Sequence, residues 1–347
     1  MIYVNARFLT QPLTGVQRYA FEVSMQMKSM TDDIVFLTPK NVIQTEWAKL
    51  LNAQKIGHLK GHLWEQIELA IYILRQKNAQ LFSPCNTGPL CIKNQLLTLH
   101  DLAFVVYPKL NSFLFQAWYA RLIPRLLQRV QHIFTVSNSM KEEITRAYPI
   151  STSKISLTYN GLSQTMQEFA FTKPLLLEKR KLLICVGSLS LRKNVSLLAK
   201  AFMQSKLIQD EYTLVFIGSS SSHSKTDIIP VHPQIKVLQH ITDKKLLEFY
   251  QRAEYLICLS TYEGFGIPIL EGLAFGCQVL CSKIPAFEEL FTGYVSFTSI
   301  HNEAEVCDAL NRLSVTSQNT IKADRQLFEK FNYQQAAKHI LNCMNQK

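Results

Sequence analysis

The sequence predicts an α/β protein made of two parallel-sheet domains. Short apolar runs rich in Val, Ile, Leu and Phe alternate with longer amphipathic stretches along the chain. The alternation restarts near residue 182, after a weakly periodic stretch over residues 162–181 that holds Pro174. The length of 347 residues suits two domains of about 170 residues each.

Composition narrows the class. A hydrophobic share of 47% with 18% charged residues describes a folded chain, not a disordered one. No apolar run reaches the roughly 18 residues a membrane span needs. Residues 1–8 form a short strand-like run with Asn5 and Arg7 inside it, and lack the basic start and long apolar stretch of a signal peptide. A cytoplasmic protein is expected. None of the eight cysteines forms a C-x-x-C pair, and Cys277 and Cys281 read as buried free thiols. The net charge is +11. Residues 1–165 carry 17 basic against 9 acidic side chains, whereas residues 166–347 carry 20 against 17. A basic first half suits an anionic membrane surface or a phosphate-rich substrate. Nucleic acid is not expected, because there is no nucleic-acid motif and no stacked aromatic platform.

In order, residues 2–4 read as the first strand. Thr14 caps a helix running to about Met27, and Gly15 permits a tight strand-to-helix turn. This is either a plain turn or a backbone nest facing a ligand, and it is not a dinucleotide fingerprint because G-x-G-x-x-G is absent. Strands follow at residues 34–37, 81–83, 95–99, 133–136 and 155–158. Helices are expected at 47–51, 63–74, 110–130 and from Ser137 to Ala147. His100 stands at the C-terminal tip of the 95–99 strand, where open α/β sheets bind ligands, although a His-Asp pair there also has a structural reading. Arg121, Arg125 and Arg129 share one face of the 110–130 helix, which is either a solvated face or an acceptor or membrane contact.

The second half opens with strand 182–186, then Gly187, Ser188 and the basic pair Arg192-Lys193 at a helix start. Two cations there can neutralise a diphosphate and stabilise it as a leaving group, or can be simply exposed. Strands at 212–218 and 235–238 follow, with a polar loop over 219–225 and a helix over 243–253. The strand 255–260 leads into T-Y-E-G-F-G-I-P-I-L-E, residues 261–271, and a helix closed by Gly276. Glu263 sits on the turn and Glu271 about two turns into the helix. Gly264 and Gly266 let a ligand approach the backbone, and a helix start suits a phosphate. Strand 278–281 and residues 285–290 come next, where Glu288 and Glu289 read as capping or surface charges. The end, residues 329–345, reads as one helix.

The run E-G-F-G-I-P-I-L-E-G-L-A-F-G-C-Q-V-L closely resembles the E-x7-E signature of retaining nucleotide-sugar glycosyltransferases of family 4, which have the GT-B fold. Further landmarks resemble that family in order. They are Thr14-Gly15, Ser83-Pro84, His100-Asp101-Leu102, Val136-Ser137, Asn160-Gly161, Val186-Gly187 and Arg192-Lys193-Asn194. The resemblance spans nearly the whole chain. It implies two Rossmann-like domains facing a cleft: an acceptor domain over 1–165, a linker over 166–181 and a donor domain over 182–330. A last helix, 331–347, would return to domain one.

By the same resemblance, Glu263 binds donor-sugar hydroxyls, and the N–H groups of Phe265 and Gly266 face the sugar or diphosphate. Glu271 accepts from the ribose, Arg192 and Lys193 hold the diphosphate, Gly15 backs it, and His100 lies near the leaving group. Ser188 stands where many members have Arg, and Gly15 stands alone where many have two glycines. The implied reaction moves a hexosyl group with retention, without metal or other cofactor, from a GDP- or UDP-linked sugar to a saccharide. The absence of a D-x-D run agrees. The H-L-W-E-Q and S-P-x-N segments resemble bacterial enzymes of O-antigen and other surface-polysaccharide synthesis. That implies an acceptor on a polyprenyl diphosphate and a peripheral contact with the anionic inner membrane. A GT-B epimerase or phosphorylase, and a non-catalytic sugar-nucleotide-binding partner protein, are the alternatives.

Overall fold

The computed structural model describes residues 1–108, 112–172, 178–219, 227–315 and 325–345. The chain divides into two compact units. One holds Met1–Pro108, Phe113–Ser163 and the chain from Lys330 onward; the other holds Gln164–Glu329.

The first unit is built on a seven-stranded sheet of β1 (Ile2–Asn5), β2 (Ile34–Thr38), β3 (Gln54–Lys55), β4 (Gln80–Ser83), β5 (Gln95–Thr98), β6 (His132–Thr135) and β7 (Ile155–Leu157). The order is β3-β2-β1-β4-β5-β6-β7, and every pairing is parallel. Parallel strands need crossovers, and helices on both faces leave the strands buried on both sides. That is why β4 to β6 read as near-continuous apolar runs. Helix Gly15–Met30 is closed at its start by a capping box in which Thr14 and Gln17 bond each other. Its inner face, including Tyr19, Ala20 and Val23, packs with Ala337, Ile340 and Met344 of the last helix, Tyr333–Asn345. Gln80 Nε2 also donates to Met344 O at 2.7 Å. Burying each large side chain of this kind contributes about 1.5–3 kcal/mol.

The second unit carries β8 (Arg180–Val186), β9 (Thr213–Ile217), β10 (Ile235–Leu238), β11 (Ala253–Cys258), β12 (Gln278–Ser282) and β13 (Ser296–Thr298). Their order is β10-β9-β8-β11-β12-β13, again all parallel. In both sheets the strand order reverses once, at β1/β4 and at β8/β11, so both are doubly wound.

Four details depart from the sequence reading. The segment read as a linker, 166–181, carries helix Gln164–Thr172 and the first residues of β8; Pro174 lies outside the described residues. The run 329–345 is two helices, Arg325–Lys330 and Tyr333–Asn345. The break follows from Asn332, whose side chain accepts from Gln334 N at 2.7 Å and whose carbonyl accepts from Ala336 N. Residues 285–290 belong to helix Pro285–Phe291, begun by a proline. The edge strands β3 and β13 were not expected; with two and three residues they are too short to show a period. Most of the polar loop 219–225, and residues 110–111 of the expected 110–130 helix, lie outside the described residues; the helix spans Phe113–Arg129.

Candidate active site

In a doubly wound sheet the ligand crevice lies beyond the C-terminal strand ends, where the strand order reverses. In the second unit that point falls between β8 and β11, and the loops that follow these strands carry the basic pair and Glu263. The loops are stitched together. Thr261 N donates to Arg192 O at 2.9 Å, Asn194 Nδ2 to Leu259 O at 2.9 Å, and Arg192 Nη1 to Tyr262 O at 2.7 Å. Asn194 takes a left-handed conformation, φ 51°, and turns the chain into helix Val195–Gln204.

Three charges meet there. Lys193 Nζ lies 2.6 Å from Glu263 Oε1, and Arg192 Nη1 lies 3.4 Å from Glu263 Oε2. The side chains are largely buried. Burial pushes the Glu263 carboxyl up, but Arg192 and then Lys193 outweigh it and hold the carboxyl down at about 2. Burial lowers Lys193, and Glu263 more than restores it, so the ammonium is held above its ordinary value. The cluster is therefore fully charged at neutral pH, with one positive charge in excess. Room for Lys193 comes from Gly187, φ 138°, where a Cβ would stand 3.1 Å from Lys193 Cε. Ser188 lies beside it, with its hydroxyl 3.2 Å from that of Ser190.

The turn after Glu263 is closely packed. Gly264 is buried, and Phe265 is buried with its ring edge-on to Phe291. Gly266 caps helix Ile267–Ala274 with φ 111°, and a Cβ there would stand 2.7 Å from Phe287 Cε1. Glu271, one turn on, accepts from the hydroxyl of the fully buried Tyr250 at 2.6 Å. Tyr250 had no signal as a site residue in the sequence; it is one aromatic in an amphipathic helix.

In the first unit His100 follows β5 and is buried. Its Nε2 donates to Pro84 O at 2.8 Å, its backbone N donates to Asn86 Oδ1, and Tyr19 packs edge-on at 4.6 Å. Burial drives the imidazole down to about 4, against the pull of the Pro84 carbonyl and Asp101, so the ring is neutral at pH 7. Gly15 opens the sixteen-residue helix Gly15–Met30 and is exposed. Arg121, Arg125 and Arg129 are all exposed; two of them bond carbonyls one turn back, Arg121 to Ala117 O and Arg125 to Arg121 O. Among the described residues no group of His, Cys, Asp and Glu is placed to hold a metal.

One cluster was not anticipated. At the β1/β4 switch point Glu65 Oε1 accepts from Asn5 Nδ2 at 2.8 Å, Arg7 Nε at 3.1 Å and Thr87 Oγ1 at 3.1 Å. Arg7 Nη2 also donates to Thr87 Oγ1 at 2.9 Å. The available signal was an Arg and a Glu inside apolar runs, Asn5-Ala6-Arg7 and His62-Leu63-Trp64-Glu65-Gln66.

Residues 13–164 match the family model described as Glycosyltransferase Family 4, and residues 166–326 match the one described as Glycosyl transferases group 1. The chain belongs to the glycosyltransferases, with two Rossmann-like domains of the GT-B type. It is 28% identical to the O-antigen chain mannosyltransferase RfbU of Salmonella typhimurium, over 90% of this chain and 93% of that protein. It is 23% identical to O-antigen chain mannosyltransferase B of Escherichia coli, over 85% and 79%. Among solved structures, HepE of Anabaena, determined with UDP-glucose, superposes with a TM-score of 0.73 over 100% of this chain and 99% of that one at 14% identity, which shows the shared fold.

Proposed function

We propose that this enzyme moves a hexosyl group, with mannose the leading case, from a nucleotide-diphosphate sugar to a saccharide carried on a polyprenyl diphosphate. Transfer proceeds with retention and without a metal. The observation that carries the reading is the Arg192–Lys193–Glu263 cluster at the β8/β11 switch point. In the reaction the bond between the sugar anomeric carbon and the phosphate oxygen breaks, and the acceptor oxygen bonds to that carbon on the same face. The acceptor proton passes to the departing phosphate. Arg192 and Lys193 balance the charge that builds on the diphosphate, the work a metal would otherwise do. Glu263, held ionised, accepts from donor-sugar hydroxyls and keeps Lys193 in place.

Glu271 binds the ribose together with Tyr250, and the turn of Gly264, Phe265 and Gly266 with Ser188 completes the donor site of the second unit. His100, neutral, acts in the first unit as a hydrogen-bonding group rather than as a cation. Arg121, Arg125 and Arg129 give an exposed basic stripe to an anionic membrane face. No helix among the described residues is long and apolar enough to cross a membrane. Mannose is supported by the likeness to two O-antigen chain mannosyltransferases, and the lipid-linked saccharide rests on the sequence resemblance alone.

The test is a panel of GDP- and UDP-sugars with the purified chain, first by thermal shift and then with a lipid-linked saccharide and anomeric analysis of the product. Transfer from one donor, with its anomeric configuration kept and with rates unchanged by chelator, is the expected result. An inverted product, or transfer abolished by chelator and restored by metal, would refute the corresponding part.

A further inference from the structure

We infer that His62 and Trp118 form the contact surface for a neutral sugar ring of the acceptor, held in place by the buried Arg7–Glu65 pair. The inference rests on the transferase reading above and names the acceptor side of the same reaction within the first unit.

The topology places both residues at the ligand end of the first sheet. His62 lies in the helical stretch that leads from β3 to β4, and Trp118 in the helix that leads from β5 to β6. A crossover helix runs antiparallel to the strands it joins, so each begins at the C-terminal rim, and both residues sit near those beginnings. There the rings stand 5.9 Å apart, tilted by 50°, and Tyr119 backs His62 edge-on at 5.7 Å. Trp118 is 41% exposed although it carries the largest apolar side chain of any residue type. A pyranose presents an apolar C–H face and a rim of hydroxyls, and an exposed indole beside a polar ring edge matches both.

His62 is also held in one orientation. Its Nδ1 lies 3.3 Å from Glu65 Oε2. A carboxylate accepts, so Nδ1 carries the proton, and Nε2 is left to hydrogen-bond a sugar hydroxyl, which can donate or accept. Nε2 has no partner among the described residues. Glu65 is itself fixed by Asn5, Arg7 and Thr87 and is fully buried. A buried ion pair adds little stability beyond what an apolar pair would supply, so its use here fits a need for orientation. The helix is π-wound over Trp64–Leu69, a geometry found mostly where function requires it. Glu65 and Arg7 are positioning residues, and His62 and Trp118 make the contact.

The test uses the full chain and saturation-transfer NMR with methyl glycosides of mannose, glucose, galactose, rhamnose and N-acetylglucosamine. GDP and UDP are titrated in a separate arm. At least one glycoside should bind wild type. Trp118→Ala should weaken it roughly tenfold and His62→Ala roughly three- to tenfold, while nucleotide affinity stays within about twofold. Trp118→Phe, which keeps an aromatic face, should recover part of the loss. Glycosides that bind both alanine variants as they bind wild type, or a panel with no binder, would overturn the inference. Failure of wild type to bind any nucleotide would instead strike the transferase reading, so the two failures are distinct.

Discussion

Lys193 Nζ stands 2.6 Å from Glu263 Oε1 although the two residues are seventy positions apart, and the side chains are only 11% and 15% exposed. Glu263 is the main partner of Lys193, while Arg192 and then Lys193 hold Glu263, and in the proposed reaction these cations face the departing diphosphate. Glu263→Gln should therefore lower the transfer rate by at least about 10²-fold, because it loosens Lys193 as well as the donor-sugar contact. Lys193→Met should cost roughly 2–4 kcal/mol of stability in addition, since it strips a buried carboxylate of one partner. Steady-state kinetics and denaturant melts on the two variants check this. A Glu263→Gln enzyme with unchanged kcat and KM would contradict it.

Gly187→Ala is expected to disturb the same pair from beneath. The new methyl would meet Lys193 Cε at 3.1 Å and Nζ at 3.2 Å, at a φ of 138° that side chains rarely adopt. Activity should fall by more than the loss of stability explains, on the order of tenfold at a temperature where the variant is still folded. Comparing kcat/KM with the fraction folded separates the two effects.

Acid should destabilise the protein in two stages. His100 is held at about 4 against an ordinary 6.5, so folded protein resists its protonation and stability begins to fall as pH drops below 6.5. Glu65 and Glu263 are each held at about 2 against 4.5. Their stabilisation is present above pH 4.5 and is lost as pH falls towards 2, on the order of 3 kcal/mol for each group. Denaturant midpoints between pH 8 and 3 should show the shallow stage first and the steep one below pH 4.5. His100→Gln should reduce the upper stage and leave the lower; the remainder belongs to His132, whose imidazole is likewise lowered by burial.

Tyr250→Phe removes the hydroxyl that donates to Glu271 at 2.6 Å and leaves the ring packed on Phe275. Glu271 then loses one of its partners but keeps its charge. The nucleotide-sugar KM should rise several-fold, by the worth of about 1 kcal/mol, with kcat little changed. A drop in kcat at constant KM would place Glu271 in the chemistry rather than in ribose binding.

If the exposed face of Arg121, Arg125 and Arg129 meets an anionic membrane, replacing all three by Gln should weaken binding to phosphatidylglycerol vesicles by about 1 kcal/mol per residue. Added salt should erase most of the difference. Vesicle sedimentation at two ionic strengths decides it, and binding that ignores salt would count against the contact.

The alternation of apolar runs and amphipathic stretches was enough to place the buried strands, because a parallel strand covered on both faces is apolar over its central residues. That condition holds for β4, β5, β6, β8, β9 and β11, and fails for the edge strands β3 and β13. The turn at 261–271 and the basic pair at 192–193 were legible as glycine turns and charges at strand ends. Their meeting was implied only by the family resemblance, which put both on one donor; nothing in their spacing along the chain marks it. The long-range pairs Lys193–Glu263, Tyr250–Glu271 and Arg7–Glu65 join residues brought side by side only when strands from distant parts of the chain lie next to one another. Local periodicity determined which segments are strands and helices; strand order decided which charges became neighbours, because a pairing across a sheet leaves no mark on the spacing of residues along the chain.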